Sequence, residues 1–89
     1  MTYKVRLSPH AVRDYKKLDV SIKSHIKAAL DALEHNPFRG SQIKRLKGRL
    51  HEYYRYRVSD YRIVYAVVKK ECVVYVDHIQ HRRDVYRSV

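Results

Sequence analysis

YYRYRVSDYRIVYAV, residues 53–67, decides how this chain folds. On either side of Ser59-Asp60, aromatic and β-branched residues alternate with arginine or with one another, the two-residue period of a strand. Treated as a two-residue turn, Ser59-Asp60 sets Val58 opposite Tyr61, Arg57 opposite Arg62, Tyr56 opposite Ile63, Arg55 opposite Val64 and Tyr54 opposite Tyr65. Side chains alternate between the faces of a sheet. One face therefore collects Tyr54, Tyr56, Val58, Tyr61, Ile63, Tyr65 and Val67, and needs a cover. The other collects Tyr53, Arg55, Arg57, Arg62 and Val64.

The cover lies upstream. Tyr3, Val5 and Leu7 alternate with Lys4 and Arg6 as a first strand, and Ser8-Pro9 then reads as an N-cap followed by proline at the first helical position. The helix so started carries Val12, Tyr15 and Leu18 on one face. A second helix, opening at Asp19 or Ser21, repeats Ile22, Ile26, Ala29, Leu30 and Leu33 at helical spacing and ends near His35-Asn36, ahead of Pro37. Phe38 to Leu50 reads as a loop with Gly40 and Gly48 as breakers. Strands follow over about His51–Val58, Tyr61–Lys69 and Cys72–Ile79, the last two joined at Lys70-Glu71, and a tail runs from Gln80 to Val89. The expected fold is α+β, in the order β-α-α-β-β-β. A helical hairpin packs on one face of a mostly antiparallel four-stranded sheet, in a single domain over residues 1–89.

Charge narrows the function. Twenty Lys and Arg against nine Asp and Glu leave +11 at pH 7, a field that draws polyanions, nucleic acid foremost and an acidic protein next. The lone Cys72 excludes an internal disulfide. No apolar run approaches membrane-spanning length and no leader pattern opens the chain, so the cytoplasm is the expected compartment and a membrane partner is not expected.

The arginine face sharpens this. Arg57 directly opposite Arg62 is a destabilising like-charge pair. Either an anion offsets the repulsion, or the arginines splay into water with Asp77 of the next strand nearby. The tail adds His81, Arg82, Arg83, Tyr86 and Arg87. Metal ligands at usable spacing are not found: His78 and His81 lie close, but no cysteine or carboxylate set completes a site, so neither metal nor other cofactor is expected. A basic, tyrosine-rich surface can hold a phosphodiester and stabilise extra charge on it. RNA carries its own nucleophile, the 2′-OH. Arginine stays protonated, so proton transfer would fall to His81 or Tyr86, each of which also has a plain structural use.

In order and spacing these residues resemble a known family. The run Tyr54-Arg55-Tyr56-Arg57-Val58-Ser59-Asp60-Tyr61-Arg62-Ile63-Val64-Tyr65 resembles the R-x-x-D/G-Y-R-x-x-Y hairpin of the RelE/ParE toxin superfamily, and HRRDVYR, residues 81–87, resembles its HR-x-x-x-Y ending. The strand, the helical hairpin and the run KRLKG, residues 44–48, agree along nearly the whole chain. The resemblance implies a toxin neutralised by a cognate acidic antitoxin. In the RelE-like branch it implies a metal-independent endoribonuclease that cuts mRNA in the ribosomal A site by 2′-OH attack. Carried over by position, Arg62 matches the transition-state arginine, Arg55 stands where RelE-type enzymes place a lysine, and Tyr86 matches a tyrosine that assists proton transfer or stacks on the substrate; His81 is a further catalytic candidate from its own chemistry. Arg57, Arg82, Arg83, Lys47 and Tyr53 are the expected substrate contacts. Tyr53 and Arg55 occupy places where the familiar pattern has two lysines, which leaves either a different proton chemistry or a part for His81. A ParE-like inhibitor of DNA gyrase without RNA cleavage, and a basic nucleic-acid-binding module without toxicity, are the alternatives.

Overall fold

The protein is described from a computed structural model that covers residues 2–46 and 53–83. Two helices cover one face of a five-stranded sheet. In chain order the elements are β1 (Lys4–Leu7), α1 (Pro9–Lys16), α2 (Val20–Leu33), β2 (Ile43–Arg45), β3 (Tyr53–Val58), β4 (Tyr61–Val68) and β5 (Val73–His81). The sheet order is β1-β5-β4-β3-β2, antiparallel throughout except for the parallel pair β1 and β5. The parallel pair is possible because the helical hairpin carries the chain back across the sheet.

The β3–β4 register is the one the two-residue turn predicts: Val58 pairs with Tyr61, Arg57 with Arg62 and Tyr54 with Tyr65. Ser59 turns the corner with φ 54°, in the left-handed region. The core follows from that register. Ile63, Tyr65, Val74 and Val76 are fully buried against Ile26 and Leu33 of α2 and Ala11 of α1, and Tyr54, Tyr56, Val58, Tyr61 and Val67 pack around them.

Four local expectations need correction. Phe38–Leu50 is not wholly loop, because Ile43–Arg45 pairs with Tyr54–Tyr56 as β2 and makes the sheet five-stranded. Three residues carry too little pattern to announce a strand, and the unpaired edge of β3 supplies what the run itself lacks. The inward stripe of α1 passes through Ala11 rather than Val12. The β4–β5 turn takes four residues, 69–72, rather than two, with Cys72 at φ 55°. Finally, β5 runs on through Gln80 and His81, which the sequence placed in the tail.

Two side chains of α1 hold the far end of β5. Beyond the pairing of Leu7 with Val76, β1 stops and leaves that edge of β5 open. Ser8 caps α1 by accepting from the Ala11 amide (3.0 Å) and donates its own proton to the Asp77 carbonyl (2.8 Å). One turn on, an Asp14 carboxylate oxygen accepts from the Ile79 amide (3.0 Å). Between them Asp77 is an extra residue in the ladder, since Val64 pairs with His78 while Tyr65 pairs with Val76. The bulge lets both Val76 and Ile79 reach the core. No helix among the described residues is long and apolar enough to cross a membrane.

One buried polar contact ties the loop after α2 to the sheet: the fully buried Tyr65 donates its phenolic proton to the Pro37 carbonyl at 2.7 Å. Burial, helped by the neighbouring Tyr54 and Tyr56, pushes the Tyr65 phenol well above the ordinary tyrosine range. Tyr65→Phe leaves that carbonyl without its donor and is expected to cost about 1–3 kcal/mol in urea unfolding at neutral pH. Below about pH 10 both folded and unfolded chains keep this proton, so stability is intact there; above it the unfolded chain releases a proton that the fold retains, and stability falls. The alkaline decline should therefore be shallower in Tyr65→Phe than in the parent protein. Equal slopes would show that the phenol is not shielded from water.

Candidate functional site

The arginines gather at one end of the sheet, on the face opposite the helices. Arg55 and Arg57 come from β3 and Arg62 from β4, brought side by side by the tight turn. Arg82 joins them because its amide donates to the Asp60 carbonyl at 2.7 Å, which fastens the chain after β5 to the β3–β4 turn. Together with Ser59, Asp60 and Tyr61 these four border a groove of about 220 Å³. Four guanidinium groups and one carboxylate make it strongly cationic.

Two features of the groove are unfavourable within the protein alone. Arg57 and Arg62 stand opposite each other across the hairpin, where like charges repel. Asp77 does not relieve them: among the described residues no ion pair joins it to Arg55, Arg57 or Arg62. In addition, the Arg62 Nε is buried and has no hydrogen-bond partner among the described residues. A donor left so is costly within the protein alone, and a phosphate oxygen would satisfy it.

The remaining candidates fall elsewhere. Tyr53 shares the arginine face but sits at the far end of β3, opposite Ala66, and does not border the groove. His81 closes β5 opposite Tyr61, and their rings meet edge to face at 4.9 Å. That pairing turns His81 toward the helix-bearing face, and its Nδ1 accepts from the Arg83 amide at 3.1 Å. The Arg83 side chain is exposed outside the groove. Lys47 and Tyr86 lie outside the described residues. Sequence reading missed Ser59 and Asp60 as parts of the groove, although the turn it inferred already placed them between the arginines. It also missed a cluster of potential ligand residues. His10, Asp14 and His78 converge on the α1 side of β5, 68 residues apart at the extremes, a distance at which spacing gives no signal.

With this geometry in hand, likeness to known proteins is informative. The family model for the "ParE toxin of type II toxin–antitoxin system, parDE" matches residues 5–86. The chain belongs to this toxin family. RelE1 of Methanocaldococcus jannaschii is 29% identical over 90 residues, covering 99% of each chain. In solved structures, a chain of the RelBE2 toxin–antitoxin complex of Mycobacterium tuberculosis superposes with a TM-score of 0.83 at 26% identity, over 92% of this chain and 100% of that one. A chain of the archaeal RelE–RelB complex from Pyrococcus horikoshii gives 0.80 at 27% identity, over 92% and 97%. The protein is thus a RelE/ParE-type toxin of a type II toxin–antitoxin system, with the two-helix, mixed-sheet fold of that group.

The like-charge pair gives this toxin a testable conflict between folding and binding. Arg57→Gln should raise stability in urea by about 0.2–1 kcal/mol, since it removes the repulsion across the turn. The same change should weaken binding of a short RNA oligonucleotide and lower the slope of log affinity against log salt by about one. A variant less stable than the parent would contradict the cross-strand repulsion, and an unchanged salt slope would contradict a phosphate contact at Arg57.

Proposed function

We propose that this toxin is a ribosome-dependent mRNA endonuclease that cuts in the A site by attack of the 2′-OH on the adjacent phosphodiester, without a metal ion in the reaction. The observation that carries the reading is the unpartnered, buried Nε of Arg62 beside Arg55, Arg57 and Arg82. In the reaction the 2′ oxygen bonds to phosphorus, the 5′ oxygen of the next nucleotide leaves, and the phosphorane between them carries extra negative charge. Arginines fixed before the substrate arrives stabilise that charge without further reorganisation. Arg62 takes the transition-state oxygen and Arg55 stands beside it; Arg57 and Arg82 hold the flanking phosphate, with Arg83, Lys47 and Tyr53 as outer contacts along the RNA.

A proton must leave the 2′-OH and another must reach the leaving oxygen. Arginine is too weak an acid to exchange protons readily. Tyr86 is the first candidate for this work, because His81 stands behind Tyr61 and its Nδ1 is engaged by the Arg83 amide. Positioning supplies much of the rate in such a scheme, which accounts for dependence on a ribosome that presents the message already bent. The relatives named RelE, in archaea and bacteria, support this branch, and RelBE2 and the Pyrococcus RelE–RelB structure are toxin–antitoxin complexes. By the same likeness, the partner in the cytoplasm is an acidic cognate antitoxin that covers the +11 surface.

The family model bears the ParE name, which favours a second reading as a non-enzymatic inhibitor of DNA gyrase. Mapping mRNA ends in a purified translation system, alongside a gyrase supercoiling assay, separates the two. A-site cuts are expected, reduced about 10²–10³-fold by Arg62→Ala and clearly slowed by Tyr86→Phe. Intact message together with inhibited supercoiling would establish the gyrase reading instead.

A further inference from the structure

The edge of β5 that β1 leaves uncovered carries a second constellation. His10 is the second residue of α1 and Asp14 follows one turn later, so both project from the same side of the helix. His78 comes from β5, just past the Asp77 bulge. The His10 Nδ1 lies 3.1 Å from an Asp14 carboxylate oxygen and 3.2 Å from the His78 Nδ1. The two imidazole rings meet edge to face, with centroids 4.4 Å apart. One ligand atom from each of the three residues lies within 4.8 Å of the others.

Hydrogen bonding alone serves this arrangement badly. An imidazole Nδ1 has a single in-plane position, filled by either a proton or a lone pair. With a proton, the His10 Nδ1 must divide it between the carboxylate and the second imidazole. With a lone pair, it can accept from His78 but then faces the Asp14 oxygen lone pair to lone pair. A cation seated among the three would be shared by all of them once the Asp14 and His78 atoms, within 4.8 Å of each other, draw in to ligand spacing. A tetrahedral ion with bonds of about 2.0–2.1 Å spaces its ligands roughly 3.3 Å apart, close to the two separations observed.

We infer that His10, Asp14 and His78 form a binding site for a divalent transition-metal ion of the Zn²⁺ class. Two imidazole nitrogens and one carboxylate oxygen suit zinc, nickel or cobalt and are too rich in nitrogen for magnesium or calcium. The carboxylate is already oriented, because the same Asp14 oxygen accepts from the Ile79 amide, the kind of outer-shell contact that fixes metal ligands. The site is open to solvent, with 56% of the His10 side chain and 19% of the Asp14 side chain exposed. An ion can therefore enter and keep water in its fourth position. Bound there, it would clamp the first turns of α1 to the edge of β5 that β1 leaves uncovered. None of the three ligands borders the arginine groove, so the inference stands apart from the proposed function.

The test is titration of the purified full-length chain, stripped with chelator, with Co²⁺ and Zn²⁺ alone. Co²⁺ is followed by its visible d–d bands and Zn²⁺ by calorimetry and thermal unfolding. The parent protein is expected to bind one equivalent with the absorption of a four-coordinate nitrogen and oxygen site, and to unfold at a higher temperature with Zn²⁺ than with chelator. His10→Ala, at an exposed position, and His78→Ala should lose both effects while keeping the parent far-UV circular dichroism. Asp14→Asn, which can still accept from the Ile79 amide, should bind more weakly. His25→Ala/His35→Ala should bind like the parent. No saturable binding by the parent, binding that survives in His10→Ala and His78→Ala, or binding lost in His25→Ala/His35→Ala would each overturn the inference.

Discussion

Everything in this molecule turns on Arg57 standing directly across the hairpin from Arg62. The pairing is unfavourable in itself, yet a shift by one residue would send the tyrosines and valines of both strands to the solvent face and the arginines into the core. Burial of Ile63 and Tyr65, with Tyr54, Tyr56 and Val58 packed about them, outweighs the repulsion of two charges that reach solvent on one side. The hydrophobic face thus enforces a cationic face behind it. That coupling makes the groove a fixed feature, present before any ligand arrives.

The two ends of β5 show how a small sheet manages its edges. On one side β4 runs along nearly its whole length, while on the other β1 covers only the part up to Val76. Left bare, the remaining backbone groups would be open to another strand. Ser8 and Asp14 supply a donor to the Asp77 carbonyl and an acceptor for the Ile79 amide, and they can do so because α1 begins where β1 ends. The residues that seal the edge also bring His10 onto His78. One packing solution therefore yields both a protected strand and a polar cluster at the edge of β5, outside the arginine groove.

The groove itself is assembled from pieces with separate physical origins. Arg55, Arg57 and Arg62 share it through strand alternation. Arg82 reaches it through the hydrogen bond of its amide to the Asp60 carbonyl, which no periodicity would announce. His81 misses it for a reason of the same kind: β5 extends two residues beyond the strand pattern, and pairing with Tyr61 fixes the ring on the other face. A histidine close in sequence to an arginine of the groove is thus separated from it by a single step of the pleat.

The sequence by itself determined the two helices, the three long strands, the hairpin register and the split into an apolar and an arginine face. Periods of 2 and 3.6 residues are local, and residues 53–67 state theirs without ambiguity. Tertiary structure decided what has no local period. It made β2 a strand by offering it the free edge of β3, placed β1 parallel beside β5, and inserted the Asp77 bulge that lets Val76 and Ile79 both point inward. It also chose which polar residues meet. Arg82 joins the groove and His81 does not, and His10 finds Asp14 and His78 across 68 residues of chain, because those contacts depend on where separate elements end rather than on any repeat within them.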